Sequence, residues 1–135
     1  MATLTASAAA SGVQPIAENG VNAIRSTYTL AANLSAGDVI QMAKLPAGAR
    51  VLGGNVSVNI PGQGATGITV GDGGDADRYV LSATATSSLV NFNALTMDYS
   101  YSVSDTIDIT IDTVASATAV GSISLAVWYT ANQPK

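Results

Sequence analysis

Ser122-Ile123-Ser124-Leu125-Ala126-Val127-Trp128-Tyr129-Thr130 alternates apolar with small or polar residues along its length. An extended chain points successive side chains to opposite faces, so this stretch reads as a half-buried β-strand. Ile123, Leu125, Val127 and Tyr129 face inward, and Trp128 faces out. The same period runs through Thr106-Ile107-Asp108-Ile109-Thr110-Ile111-Asp112. It returns at Tyr99, Tyr101 and Val103 against Asp98, Ser100 and Ser102, and at Ile24, Ser26, Tyr28 and Leu30 against Arg25, Thr27 and Thr29. Further strands are expected over 39–45, 50–60, 68–71 and 78–84. In the longest, Val56, Val58 and Ile60 point inward, and Gly53-Gly54 marks a bulge.

Gly37-Asp38, Pro46-Ala47-Gly48, the glycine-rich residues 61–67 and the acidic residues 72–77 break these runs. About eight strands with turn signals every 8–12 residues or so predict an all-β fold, a jelly-roll-like β-sandwich. No long stretch carries a helical period. Residues 1–22 are small, polar and aperiodic, and are expected to form a flexible N-terminal arm ahead of a sandwich domain at 23–135.

The chain has 135 residues, no histidine, no cysteine, and only 10% charged residues against the usual quarter or so. The serine triad and thiolate metal sites are therefore out of reach. Its net charge is −4, and its five basic residues are scattered. No basic stripe exists to neutralise a phosphate backbone or an anionic membrane, so neither nucleic acid nor membrane is an expected partner. The first basic residue is Arg25, so no secretory signal is expected. A surface built from Ser, Thr, Asn and Gly is poorly protected against association. It reads as surface meant to be covered by a partner or by further copies.

Gly62-Gln63-Gly64-Ala65-Thr66-Gly67 matches a phosphate-binding glycine pattern, but a strand rather than a helix follows, so it reads as a loop. Asp72, Asp75 and Asp77 form the densest acidic cluster and are the candidate metal ligands, with calcium as the fitting ion. The competing reading is a structural turn in which Asp72 caps the backbone, glycines supply positive φ and Arg78 balances an aspartate. Asp108 and Asp112 share the polar face of their strand with Thr106 and Thr110, which reads as solvated rather than catalytic. No catalytic residue and no cofactor are expected. Trp128, flanked by Ser124 and Ala126, is read first as an interface anchor, then as one of two buried faces, then as a sugar-stacking platform. Leu4, Val13 and Ile16 are the apolar contacts expected of the arm.

Three stretches together resemble a known group. They are Lys44-Leu45-Pro46-Ala47-Gly48-Ala49-Arg50-Val51, then Ile68-Thr69-Val70-Gly71-Asp72-Gly73-Gly74-Asp75-Ala76-Asp77-Arg78-Tyr79, then the closing strand. In this order they resemble small virion structural proteins of tailed bacteriophages, the head decoration or cement proteins. The resemblance implies a non-enzymatic, β-rich protein on the capsid surface of the virion. It implies a homo-oligomer, a trimer, bound to the major capsid protein and reinforcing it. A phage tail or fibre component, or a module binding bacterial-surface carbohydrate, is the alternative.

Overall fold

The computed structural model describes residues 3–10, 20–30, 33–60, 66–85, 88–93, 99–114 and 121–131. In chain order these form β1 (Thr3–Thr5), α1 (Ser7–Ala10), β2 (Val21–Thr29), β3 (Val39–Leu45), β4 (Ala49–Asn59), β5 (Thr66–Gly71), β6 (Val80–Ala85), β7 (Ser88–Asn91), β8 (Asp105–Val114) and β9 (Ser122–Ala131). They make two sheets, ordered β1-β3-β8-β5-β6 and β2-β9-β4-β7. Leaving β1 aside, the orders 3-8-5-6 and 2-9-4-7 are those of a jelly roll, a sandwich wound from two Greek keys. Consecutive strands change sheet at almost every step, and among the described residues only β5 and β6 pair as sequence neighbours. Every pairing is antiparallel except that of β1 with β3.

The alternation read from the sequence sets the register. In β9, Ile123, Leu125, Val127 and Tyr129 are buried, and these meet Val56, Ile24 and Val51 from the flanking strands. Ile107, Ile109 and Ile111 of β8 and Ile68 and Val70 of β5 supply the facing layer. Branched aliphatics dominate because they fill a pleated half-buried surface well. Each fully buried one stabilises the fold by roughly 1.5–3 kcal/mol over its exposed state. The expected irregularity at Gly53-Gly54 is present as a register shift between Val51 and Gly53 where β4 meets β9. Val56, Val58 and Ile60 point inward as the pattern requires.

One expected strand is absent. Residues 99–103 make only an isolated bridge, Ser100 to Arg50. The Tyr101 N–H donates to the Ala49 carbonyl and the Gly48 N–H to the Tyr101 carbonyl, after which the chain leaves. The alternation there records one buried tyrosine, Tyr101, beside an exposed Val103, and not a half-buried ribbon. Two strands, β1 and β7, went unread.

Of the residues assigned to an arm, Thr3–Thr5 extends the five-stranded sheet in parallel with Val39–Gln41. Ser7–Ala10 makes one helical turn against β2 and β3. Strand β2 begins at Val21. No helix among the described residues is long and apolar enough to cross a membrane.

Candidate interaction face

The outer side of the four-stranded sheet is a platform of cross-strand rows. Val21, Thr130 and Arg50 form one, followed by Ala23, Trp128 and Gly53. Arg25, Ala126, Asn55 and Asn91 form the third, and Thr27, Ser124, Ser57 and Leu89 the fourth. Directly opposed side chains on one sheet face touch, so each row is a physical unit. Thr27 and Ser124 share a 2.9 Å hydroxyl hydrogen bond. Arg25, Asn55, Ser57, Leu89, Ser124 and Ala126 line a shallow open groove of about 330 Å³. No element among the described residues covers this face, and Val21 and Leu89 stand 63% and 58% exposed on it.

Trp128 points outward, at 38% exposure. Its indole lies over Gly53, where an added Cβ would sit 2.5 Å from the ring nitrogen. A side chain at this position would have to displace the ring from its place on the sheet. The result is a large, partly exposed aromatic laid over a glycine in a field of small residues. The strands β2, β9, β4 and β7 contain two arginines and no carboxylate. Every described carboxylate lies instead on the five-stranded sheet or on the loops that enter and leave its strands.

The acidic loop between β5 and β6 is a structural knot. Asp72 is buried. Its Oδ1 accepts the N–H groups of Gly74 and Asp75, both at 2.9 Å, and Arg78 Nη2 at 3.3 Å. Its Oδ2 accepts Arg78 Nε at 2.6 Å and the Tyr101 hydroxyl at 2.9 Å. With the Tyr101 proton committed to Asp72, the Tyr79 hydroxyl donates to Tyr101 in turn, at 2.5 Å. Arg78 stacks 3.5 Å above the Tyr99 ring, and Tyr79 stacks on Phe92. Burial pushes the Asp72 carboxyl up. The hydrogen bonds from Arg78, Tyr101 and Gly74 outweigh it and hold the group below its ordinary value. Burial also raises Tyr79, to about 12, and Tyr101 higher still.

This geometry bears directly on the metal candidates. The oxygens of Asp72 are taken by five donors, and the balancing cation is Arg78. Asp75 lies 3.8 Å from the same guanidinium. Asp77 approaches Asp75, whose carboxyl raises its proton affinity. No group of three metal-ligating side chains among the described residues is placed to hold an ion. Asp72 caps the turn as the structural reading required, but Gly73 and Gly74 do not supply positive φ. Among the described glycines that conformation belongs to Gly37, Gly48 and Gly121.

Asp108 corrects a second expectation. It sits on the polar side of β8, yet it is 9% exposed, not solvated. Its neighbours across the sheet are Gln41 and Gly71, and the backbone of Asp75 and Ala76 folds down over Gly71. One carboxylate oxygen has no partner among the described residues. Burial pushes the group up to about 6, with the charges of Asp105 and Asp72 adding to the effect and the Thr106 side chain opposing it. Asp112, four residues on, remains exposed.

Of the residues expected at an interface, Trp128, Ser124 and Ala126 come together on the open face. Leu4 lies on β1 and packs against the chain's own core. Val13 and Ile16 lie outside the described residues, as do residues 62–65 of the glycine-rich motif, whose last residues, Thr66 and Gly67, open strand β5. Sequence reasoning missed Arg25, Asn55 and Leu89. The period of two already placed Arg25 and Asn55 on the outer faces of their strands, but strand order, which makes them neighbours, is not written in the chain.

No family model matches the sequence, and no curated protein does. Solved structures do match. A chain in the capsid of Ralstonia phage GP4 aligns with a TM-score of 0.75 at 17% identity, over 98% of this chain and 99% of that one. The chain shares its fold. A chain of the cyanophage Pam1 capsid asymmetric unit aligns at 0.64 and 23% identity, over 86% and 89% of the two chains. One in the acidic stable capsid of Helicobacter pylori bacteriophage KHP30 aligns at 0.60 and 15%, over 84% and 89%. The GP4 chain is spanned almost end to end, so the likeness covers the whole sandwich and not one motif.

Proposed function

We propose that this chain is a structural virion protein of a tailed bacteriophage, a decoration or cement protein that binds the outside of the capsid and stabilises it. On this reading it is a non-catalytic homo-oligomer, a trimer, whose other partner is the major capsid protein. The observation that carries the reading is the open four-stranded face. It is broad, free of carboxylates in its strands, and centred on a half-exposed tryptophan, on a fold found in three phage capsid structures. Small uncharged side chains lose little rotamer entropy and little hydration when a neighbour covers them. Many such contacts on a symmetric shell act together, because each bound copy raises the effective concentration of the next site.

The test is to express the tagged chain in infected host cells and purify the particles. Co-purification with full heads, with density on the outer head surface by cryo-electron microscopy, is the expected result. Density on the tail overturns the capsid assignment and supports a tail or fibre component. Absence from particles, together with a tryptophan fluorescence change on adding host surface polysaccharide, supports the carbohydrate-binding module.

A further inference from the structure

We propose that the groove on the four-stranded sheet receives an extended segment of the major capsid protein, and that Arg25 pairs there with a carboxylate of that segment. The inference rests on the proposed function for the partner's identity and adds the chemistry by which that partner is held. The groove gathers Arg25 from β2, Asn55 and Ser57 from β4, Leu89 from β7 and Ser124 from β9. Arg25 is exposed, and its guanidinium has no partner among the described residues. Asn55 stands in the same cross-strand row, beyond Ala126. The adjoining row holds Trp128, so one segment crossing both rows meets the aromatic and the cation together.

The lining selects the occupant. A guanidinium presents a planar fork of N–H donors that fits a carboxylate, and Asn55 and Ser57 add an amide and a hydroxyl. None of the four strands carries a carboxylate to compete for the fork. Leu89, 58% exposed, and Ala126 offer apolar surface to the stem that bears the acid. One cation suits one carboxylate, whereas a phosphate backbone is met by several. At about 330 Å³ the groove is at the small end of ligand clefts, which run from about 300 to 1,000 Å³. Being shallow and open, it suits a chain laid across it better than an enclosed small molecule. The same face of a second copy is a poor match, because it brings arginines and no carboxylate on its strands.

The experiment uses the full chain and the variants Arg25→Gln, Arg25→Lys and Arg50→Gln, with circular dichroism melts to establish folding. Binding to heads assembled without the chain is measured over a range of salt. Arg25→Gln is expected to bind roughly tenfold more weakly and with a shallower salt dependence. Arg25→Lys keeps the charge and loses the fork, and is expected to lie between. Arg50→Gln, outside the groove, is expected to stay within about twofold of the wild type. In parallel, the isotope-labelled chain is titrated with a blocked tripeptide of glutamate between two leucines, and with its glutamine counterpart. Only the glutamate peptide is expected to shift the magnetic resonance signals of the Arg25 Nε–H and the Asn55 side-chain amide. Wild-type binding by Arg25→Gln, an equal loss in Arg50→Gln, or shifts from both peptides or neither overturns the inference and leaves the capsid reading standing. Heads left bare by the wild type overturn the capsid reading and the named partner, and the peptides then decide whether the groove takes a carboxylate. Binding of polygalacturonate that Arg25→Gln abolishes, with head occupancy unchanged, assigns the groove to an acidic polysaccharide and overturns the inference.

Discussion

The Tyr101 hydroxyl donates to Asp72 Oδ2 at 2.9 Å, tying the β5–β6 loop to a segment 29 residues further along the chain. Hydrogen bonds to a charged group contribute about 1.5–3 kcal/mol. Tyr101→Phe is expected to lower stability by that amount, read by urea unfolding. Asp72→Ala should cost more, roughly 3–5 kcal/mol, since it strips the carboxylate from a largely buried guanidinium and from two backbone N–H groups.

Asp108 and Asp72 act on stability in opposite directions as pH changes. The folded Asp108 carboxyl binds its proton near pH 6, against an ordinary 3.8. Between those values the native state holds a proton that the unfolded state has lost. Stability from this group therefore falls as pH rises through that window, by at most about 3 kcal/mol. Asp108→Asn should raise the melting temperature above about pH 7 and flatten the profile between roughly 4 and 6. Asp72, depressed when folded, contributes stability above the ordinary carboxylate range that is lost as pH falls through its folded value. A profile of melting temperature against pH for both variants checks the two signs.

Gly71 allows no side chain. A Cβ there would collide with the backbone of Asp75 and Ala76, which cannot rotate away as a side chain would. Gly71→Ala should cost about 1–3 kcal/mol or more in thermal unfolding and loosen the loop that covers Asp108.

Metal removal should do nothing to this body. The oxygens of Asp72 are taken by Arg78, Tyr101 and two backbone N–H groups. Millimolar calcium and millimolar chelator are expected to give superimposable melting curves. A calcium-dependent rise of several degrees would mean that the knot opens to admit an ion.

Trp128→Ser separates folding from assembly. The ring lies on the surface over Gly53, so its loss should change stability by only about 1 kcal/mol. As an anchor it should cost at least about 2 kcal/mol in binding, roughly thirtyfold. The measurement is occupancy of purified heads by a variant whose melting curve is close to that of the wild type.

The strongest strands were legible because burial imposes a strict period on them. Ile123 through Tyr129 and Ile107 through Ile111 declare their inward faces outright, and Trp128 was placed outward from the same rule. Three-residue β1 was not legible, since so short a strand carries no period. Tyr99 through Val103 misled for the opposite reason. Two tyrosines packed on Arg78 and Asp72 copied the alternation of a strand without forming one. Asp108 went wrong because its burial comes from a loop folding over Gly71, a contact between distant segments that local pattern cannot report. The acidic loop was half readable. The Asp72 cap is local, whereas Tyr101 reaches it only through the fold.

Strand β9 lies inside its sheet, with β2 on one side and β4 on the other, although both precede it by many residues in the chain. Without it, β2 and β4 have no partner between them and the four-stranded sheet cannot close. With so little pairing between sequence neighbours, folding waits for distant segments to meet and should be slow, in the range of about milliseconds to seconds for topologies of this kind. The same wiring resists peeling. Pulling out β9 breaks two ladders at once, so the finished body should unravel as a unit.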